Sequence, residues 1–216
     1  MTKIGVFDSG VGGEFVAAAI AKALPEDEIV YREDRKNVPY GNKTIAEIYA
    51  ACRPVIQSLV DDGCQVIVIA CNTVTTNLID KLRDEITVPL VGMEPMVKPA
   101  AAVSKSGVIA VCATPRTLSS LRYKQLKQQY AAHTTVIEPD CSDWASMIEN
   151  NEVDRSVIKQ RLDETLQKGA DQIVLGCTHY HWIEELIVSI VAGKASVMQP
   201  TDPVIKQLKR VLEQQL

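Results

Sequence analysis

Short β-branched runs recur along this chain, separated by longer stretches with helical spacing, and that alternation limits the fold more than any other feature. Residues 4–7, 29–31, 66–70, 90–92, 108–112, 135–138 and 173–175 read as strands, and 197–198 as a weaker one. Their near-continuous apolar character suits strands covered on both faces, as in parallel sheets. Between them, 15–23, 44–61, 75–84, 117–129, 154–168 and 183–191 have the length and spacing of helices. A last helix is expected over 203–215, with Asp202 as its N-cap and Pro203 at its first position. Strand and helix in alternation make an α/β fold with right-handed crossovers.

An internal echo divides the chain. VIVIACNT (66–73) and IVLGCT (173–178) each end an apolar strand in a small residue, a cysteine and a nearby threonine, about half the chain apart. The strand at 4–7 ends in Asp8-Ser9-Gly10, and that at 108–112 in Ala113-Thr114. In each half, a strand with a polar tip precedes a strand with a cysteine. The expected architecture is two similar parallel-sheet α/β lobes related by pseudo-twofold symmetry, with the active site in the cleft between them. Residues 1–95 form the first lobe, with 197–216 returning to it, and 96–196 the second.

Composition removes several classes. With 46% hydrophobic residues the chain has enough apolar surface to offset the entropy of ordering, so disorder is excluded. A net charge of −4 without a basic block speaks against nucleic acid or an anionic membrane surface as partner. No run of ~18 apolar residues offers a membrane span, and the first residues lack the pattern of a signal peptide. The six cysteines form no C-x-x-C pair, so free thiols in a reducing cytoplasm are expected, with no metal cluster.

Ligands of open parallel sheets bind beyond the carboxyl ends of strands. Asp8-Ser9, Cys71-Asn72-Thr73, Thr114 and Cys177-Thr178-His179 all fall there. Cys52, Cys64, Cys112 and Cys141 read as small buried hydrophobes. Cys71 and Cys177 instead open polar loops, where a following helix N-terminus would favour the thiolate and lower the thiol pKa. The glycine-rich loop 8–13 is not a dinucleotide fingerprint, because Phe15 stands at the third glycine, and it lacks the Gly-Lys-Ser/Thr of a P-loop. Its amides can still hold a carboxylate. Asp8 is either a cap or a catalytic group, and His179 either an acid/base partner or a structural histidine. His133 reads as surface, His181 has little context, and Asp140-Cys141-Ser142 reads as loop and cap. Pro39-Tyr40-Gly41-Asn42-Lys43 is a turn before a helix.

Five segments in order, FDSGVGG (7–13), VPYGNK (38–43), ACNT (70–73), CATPRT (112–117) and LGCTHY (175–180), resemble the cofactor-independent aspartate/glutamate racemase superfamily, its glutamate-specific members above all. The likeness runs from about Lys3 to Trp182. It implies an isomerase that interconverts L- and D-glutamate without cofactor or metal, supplying D-glutamate for peptidoglycan in the cytoplasm, with a homodimer as the expected assembly. It implies Cys71 and Cys177 as the two catalytic bases, assisted by Asp8 and His179. It assigns substrate contacts to Asp8, Ser9, Pro39, Tyr40, Gly41, Asn72, Thr73, Thr178 and His179, with Thr114 and Thr117 lining the same cleft.

Racemisation removes the Cα proton from one face and returns one to the other, which two bases on opposite walls accomplish without migration. Glu14, Glu33, Arg35 and His181 depart from the family pattern, and the chain stops short of the family's last elements. Other readings are an aspartate racemase, a Cys177–His179 hydrolase, a catalytically silent binder, and a zinc site of Cys71, Cys177 and His179.

Overall fold

The computed structural model describes residues 1–214, and all eight expected strands form within it. β1 (Lys3–Asp8), β2 (Glu28–Glu33), β3 (Val66–Ile69) and β4 (Leu90–Gly92) make one sheet in the order β2-β1-β3-β4. β5 (Val108–Ala113), β6 (Thr135–Ile137), β7 (Gln172–Gly176) and β8 (Ser196–Met198) make a second in the order β6-β5-β7-β8. The two orders are the same and every pairing is parallel, so the echo in the sequence is an echo in topology. The strands β3 and β7, whose carboxyl ends lead into Cys71 and Cys177, are buried along their whole length.

Helices cover both faces of each sheet. α1 (Gly13–Ala23) and α10 (Thr201–Glu213) lie on one face of the first, and α2 (Ile45–Asp61) and α3 (Asn72–Glu85) on the other. α2 starts at a capping box, in which Glu47 N–H donates to Thr44 Oγ1 and Thr44 N–H to Glu47 Oε2 at 2.8 Å. Its Ile48, Cys52, Ile56 and Leu59 fall at helical spacing and pack against Phe7, Ile67 and Ile69. In the second lobe, α4 (Val97–Val103) and α6 (Leu121–Tyr130) cover one face. α7 (Trp144–Glu149), α8 (Arg155–Gln167) and α9 (Glu184–Val191) cover the other. Single 3-10 segments occupy Tyr40–Asn42 and Thr178–Ile183.

Several boundaries differ from the sequence reading. The helix expected over 117–129 is two, α5 (Pro115–Ser119) and α6, because Ser120 is extended (φ −65, ψ 148) and its hydroxyl caps α6 through Tyr123 N–H. α4 and α7 were not anticipated. The last helix begins at Thr201 behind Pro200 rather than at an Asp202 cap, since Gln199 Oε1 accepts the Thr201 N–H at 2.8 Å. Gln215, its expected end, lies outside the described residues. Val197 and Met198, assigned above to the returning segment, pair with Ile173 and Val174 in the second sheet. The chain crosses back only with α10, where Val204 and Leu208 join Ile4, Val6 and Ile20. Burying each such side chain contributes about 1.5–3 kcal/mol. No helix of the described residues is long and apolar enough to cross a membrane.

Candidate active site

The carboxyl ends of β1, β3, β5 and β7 open on one small cavity between the sheets. Ser9, Pro39, Tyr40, Gly41, Cys71, Asn72 and Thr73 line it from one side, and Thr114, Ala145, Cys177, Thr178 and His179 from the other. Of the residues expected at the site, Asp8 and Thr117 stand one layer back, fully buried. Ala145, from the unanticipated α7, was not foreseen.

The glycine-rich loop holds the protein's own carboxylates. Asp8 Oδ2 accepts the N–H of Gly13 at 2.9 Å, at the first residue of α1, and the Thr178 hydroxyl reaches Asp8 from the opposite lobe at 3.2 Å. Asp8 is therefore a cap and a cross-lobe contact together. Burial pushes its carboxyl pKa up, opposed by the charge of His179 and by hydrogen bonds from the loop. Gly12 is required by close approach: a Cβ there would collide with the carbonyl carbon of Thr178 and the N of His179. Gly10 is required likewise, its Cβ space being taken by Glu149 and His179.

Cys71 is the N-cap residue of α3. Its Sγ lies 3.4 Å from Ser9 Oγ. The expectation that the helix N-terminus would lower this thiol's pKa is not met. Burial, followed by the negative charge of Asp8, raises it, and the Ser9 and Val74 hydrogen bonds only partly offset that. Cys71 is a neutral thiol at pH 7 in this environment. Asp8 acts on it through charge, and Ser9 is the side chain in contact.

Cys177 occupies the matching position ahead of the Thr178–Ile183 turn. Its Sγ lies 3.6 Å from Nδ1 of His179, whose Nε2 lies 2.6 Å from Glu149 Oε1. Burial opposes a charged His179, yet the contacts with Cys177 and Glu149 outweigh it and hold the imidazole pKa well above its ordinary 6.5. Burial likewise opposes ionised Glu149, but His179 and the Val11 N–H bring its pKa below the usual value. An imidazolium donates from both nitrogens, so it satisfies the sulfur and the carboxylate together. Glu149 is the functional residue that sequence reading missed. It ends α7, which at six residues is too short to show a helical period and whose N-cap Asp143 accepts from Arg161 rather than capping the helix.

Hydroxyls knit the remaining wall. Thr73 Oγ1 lies 3.0 Å from Thr114 Oγ1 across the lobes, and Thr117 Oγ1 lies 3.1 Å behind Thr114. Tyr40 donates its hydroxyl to Asp34 Oδ2 at 2.6 Å, and Asn37 Nδ2 donates to both oxygens of Asp34 at 2.9 Å. Asn72 Nδ2 donates to the Met93 carbonyl at 3.0 Å, while its buried Oδ1 has no partner among the described residues.

The departures noted in the sequence fall together. Arg35 pairs with Glu14 at 3.3 Å and with Glu33, on the surface, where such pairs contribute little. His181 packs its ring edge-on against Phe15, 6.0 Å between centroids, and burial lowers its pKa to about 4, so it is neutral. His133 is exposed, and Cys52, Cys64, Cys112 and Cys141 are free and buried, as expected. Among the described residues no group of three or more His, Cys, Asp or Glu is arranged to hold a metal ion, so Cys71, Cys177 and His179 do not assemble a zinc site.

Residues 13–208 match the model of the Asp/Glu/hydantoin racemase family. The chain is 36% identical to a glutamate racemase from Herpetosiphon aurantiacus over 97% of its own length and 84% of that protein's. It resembles the crystal structure of Escherichia coli glutamate racemase in complex with L-glutamate and the activator UDP-MurNAc-Ala, with a TM-score of 0.90 at 26% identity, covering 98% of this chain and 82% of that one. The Francisella tularensis glutamate racemase in complex with D-glutamate gives a TM-score of 0.83 at 29% identity, over 99% and 82%.

Proposed function

This chain belongs to the Asp/Glu/hydantoin racemase family, and from that premise we propose that it interconverts L- and D-glutamate by a two-thiol proton transfer. The observation that carries the proposal is the pair of cysteines at equivalent strand ends of two sheets with one topology, both opening into a single cavity.

Cys177, beside the imidazole of His179, serves as the base in this direction, and burial keeps the Cys71 thiol protonated. With substrate Cα between them, the Cys177 thiolate takes the proton from one face, breaking C–H and forming S–H. The electron pair moves into the substrate carboxylate as an enediolate. Cys71 then returns its own proton to the opposite face and is left as the thiolate, and the reverse reaction begins from that state. A fixed pair of bases supplies proton transfer without migration, and general acid–base groups so placed contribute ~10²–10⁴-fold.

The developing negative charge is met by N–H groups at the start of α3 and by the hydroxyls of Ser9 and Thr73. The unpartnered Oδ1 of Asn72 is the acceptor for the substrate ammonium. Tyr40-Gly41 and Thr114 close the wall, and Pro39 shapes it. Asp8 and Thr117 hold that wall from behind. We assign residues 1–95 with α10 to one functional lobe and 96–198 to the other. The family resemblance supports a cytoplasmic homodimer whose D-glutamate enters peptidoglycan.

The test is incubation of the purified protein with L-glutamate, and separately with L-aspartate, without added cofactor, followed by chiral chromatography. D-Glutamate formation supports the reading. D-Aspartate alone would move the substrate, and no product from either in folded protein would overturn it.

A further inference from the structure

Arg116 of α5 reaches from the second lobe to two of the three first-lobe segments that carry cavity residues, the turn at 40–42 and α3. Its Nε donates to the Lys43 carbonyl at 2.8 Å, one residue beyond the Tyr40–Asn42 turn. Its own carbonyl accepts from Asn77 Nδ2 on α3 at 3.4 Å. Within the first lobe the turn is held by the Tyr40–Asp34 contact and by its own Lys43 N–H to Tyr40 carbonyl bond. Neither fixes it against the opposite wall. There the fit is tight, since a Cβ on Gly41 would lie 2.9 Å from Thr114 Cβ. Arg116 supplies the hydrogen bond at that seam and is not itself among the cavity's lining residues.

We propose that Arg116 is a positioning residue of this site: its bond to the Lys43 carbonyl seats the Tyr40–Asn42 turn against Thr114 and so completes the pocket around substrate. The inference rests on the racemase reading given above. A guanidinium suits the task because it stays charged and presents donors in a fixed plane. Donor and acceptor belong to different lobes, so the bond exists only when the lobes are closed, and its loss falls on substrate capture more than on proton transfer.

The test compares the full-length wild type with Arg116→Ala and Arg116→Lys. Arg116→Ala is expected to raise KM for L-glutamate roughly tenfold with kcat nearly unchanged, as loss of one hydrogen bond from a charged donor predicts. Lysine, which also donates to a carbonyl, is expected to recover part of the loss. Amides of 40–44 are expected to exchange hydrogen faster in Arg116→Ala than in the wild type without substrate. An unchanged KM, or a fall confined to kcat, would overturn the proposal. If the wild type turns over neither glutamate nor aspartate, the racemase reading fails, and exchange alone decides the tether: faster supports it, unchanged overturns it.

Discussion

Glu149 Oε1 lies 2.6 Å from Nε2 of His179, and the same oxygen accepts the Val11 N–H of the opposite lobe at 3.1 Å. One carboxylate thereby orients the imidazole beside Cys177 and senses whether the lobes are together.

Replacing Glu149 with Gln keeps an acceptor of the same shape and removes the charge. His179 then loses one of the two contacts that hold its pKa up, so the rate limb reporting its deprotonation moves to lower pH. Each pKa unit lost is worth about 1.4 kcal/mol, or tenfold, in the population of the imidazolium above that pKa. A pH–kcat profile of wild type and Glu149→Gln checks this; superimposable profiles would remove Glu149 from the mechanism.

The same pair sets a window for stability. The raised His179 pKa contributes fully below its ordinary 6.5 and is lost as pH rises through the folded value. The lowered Glu149 pKa contributes above its ordinary 4.5 and is lost as pH falls through the folded value. Both act between about 4.5 and 6.5. The difference in Tm between wild type and Glu149→Gln is expected to be largest there and to shrink at high pH, measured by thermal unfolding across buffers.

Gly12→Ala separates folding from closure. Gly12 has a helical backbone (φ −63, ψ −30), so alanine brings no backbone strain. Its Cβ would nevertheless meet the Thr178–His179 backbone of the other lobe. The variant is expected to keep its Tm within a few degrees while kcat/KM falls on the order of 10²-fold, the cost of a misplacement of about 1 Å. Wild-type activity in this variant would contradict the lobe contact.

Asp34→Ala leaves the buried Tyr40 hydroxyl without its acceptor. An orphaned buried donor costs about 1–3 kcal/mol, and 2 kcal/mol lowers Tm by about 4–8 °C in a chain of this size. A rise in KM is expected with it, because Tyr40 lines the cavity.

What the sequence disclosed was set by pattern strength. The central strands were legible because both faces are buried and the runs are unbroken, as in VIVI and QIVLG, whereas the part-buried edge strands β2, β6 and β8 were legible from short β-branched runs. Cys71 and Cys177 were legible because each ends such a strand beside polar residues. α7 was not, being six residues long without a side-chain cap, and Glu149 was lost with it. The division at Ser120 carried a signal in its capping hydroxyl, overridden by the helical spacing on either side. Glu14, Glu33 and Arg35 read as separate oddities in the chain and are one cluster of ion pairs in the fold. Arg116 lay in plain view inside CATPRT, but only the folded turn shows that its partner is a backbone carbonyl.

The central claim is that two thiols, one on each wall, exchange the Cα proton. It is tested most directly by NMR of L-glutamate, and separately D-glutamate, in deuterium oxide with wild type, Cys71→Ser and Cys177→Ser. The account predicts loss of the Cα proton signal with formation of the opposite enantiomer in the wild type. In each variant it predicts racemisation reduced by ~10²–10⁴-fold, the contribution of a positioned acid or base. Racemisation at the wild-type rate in either folded variant would contradict it.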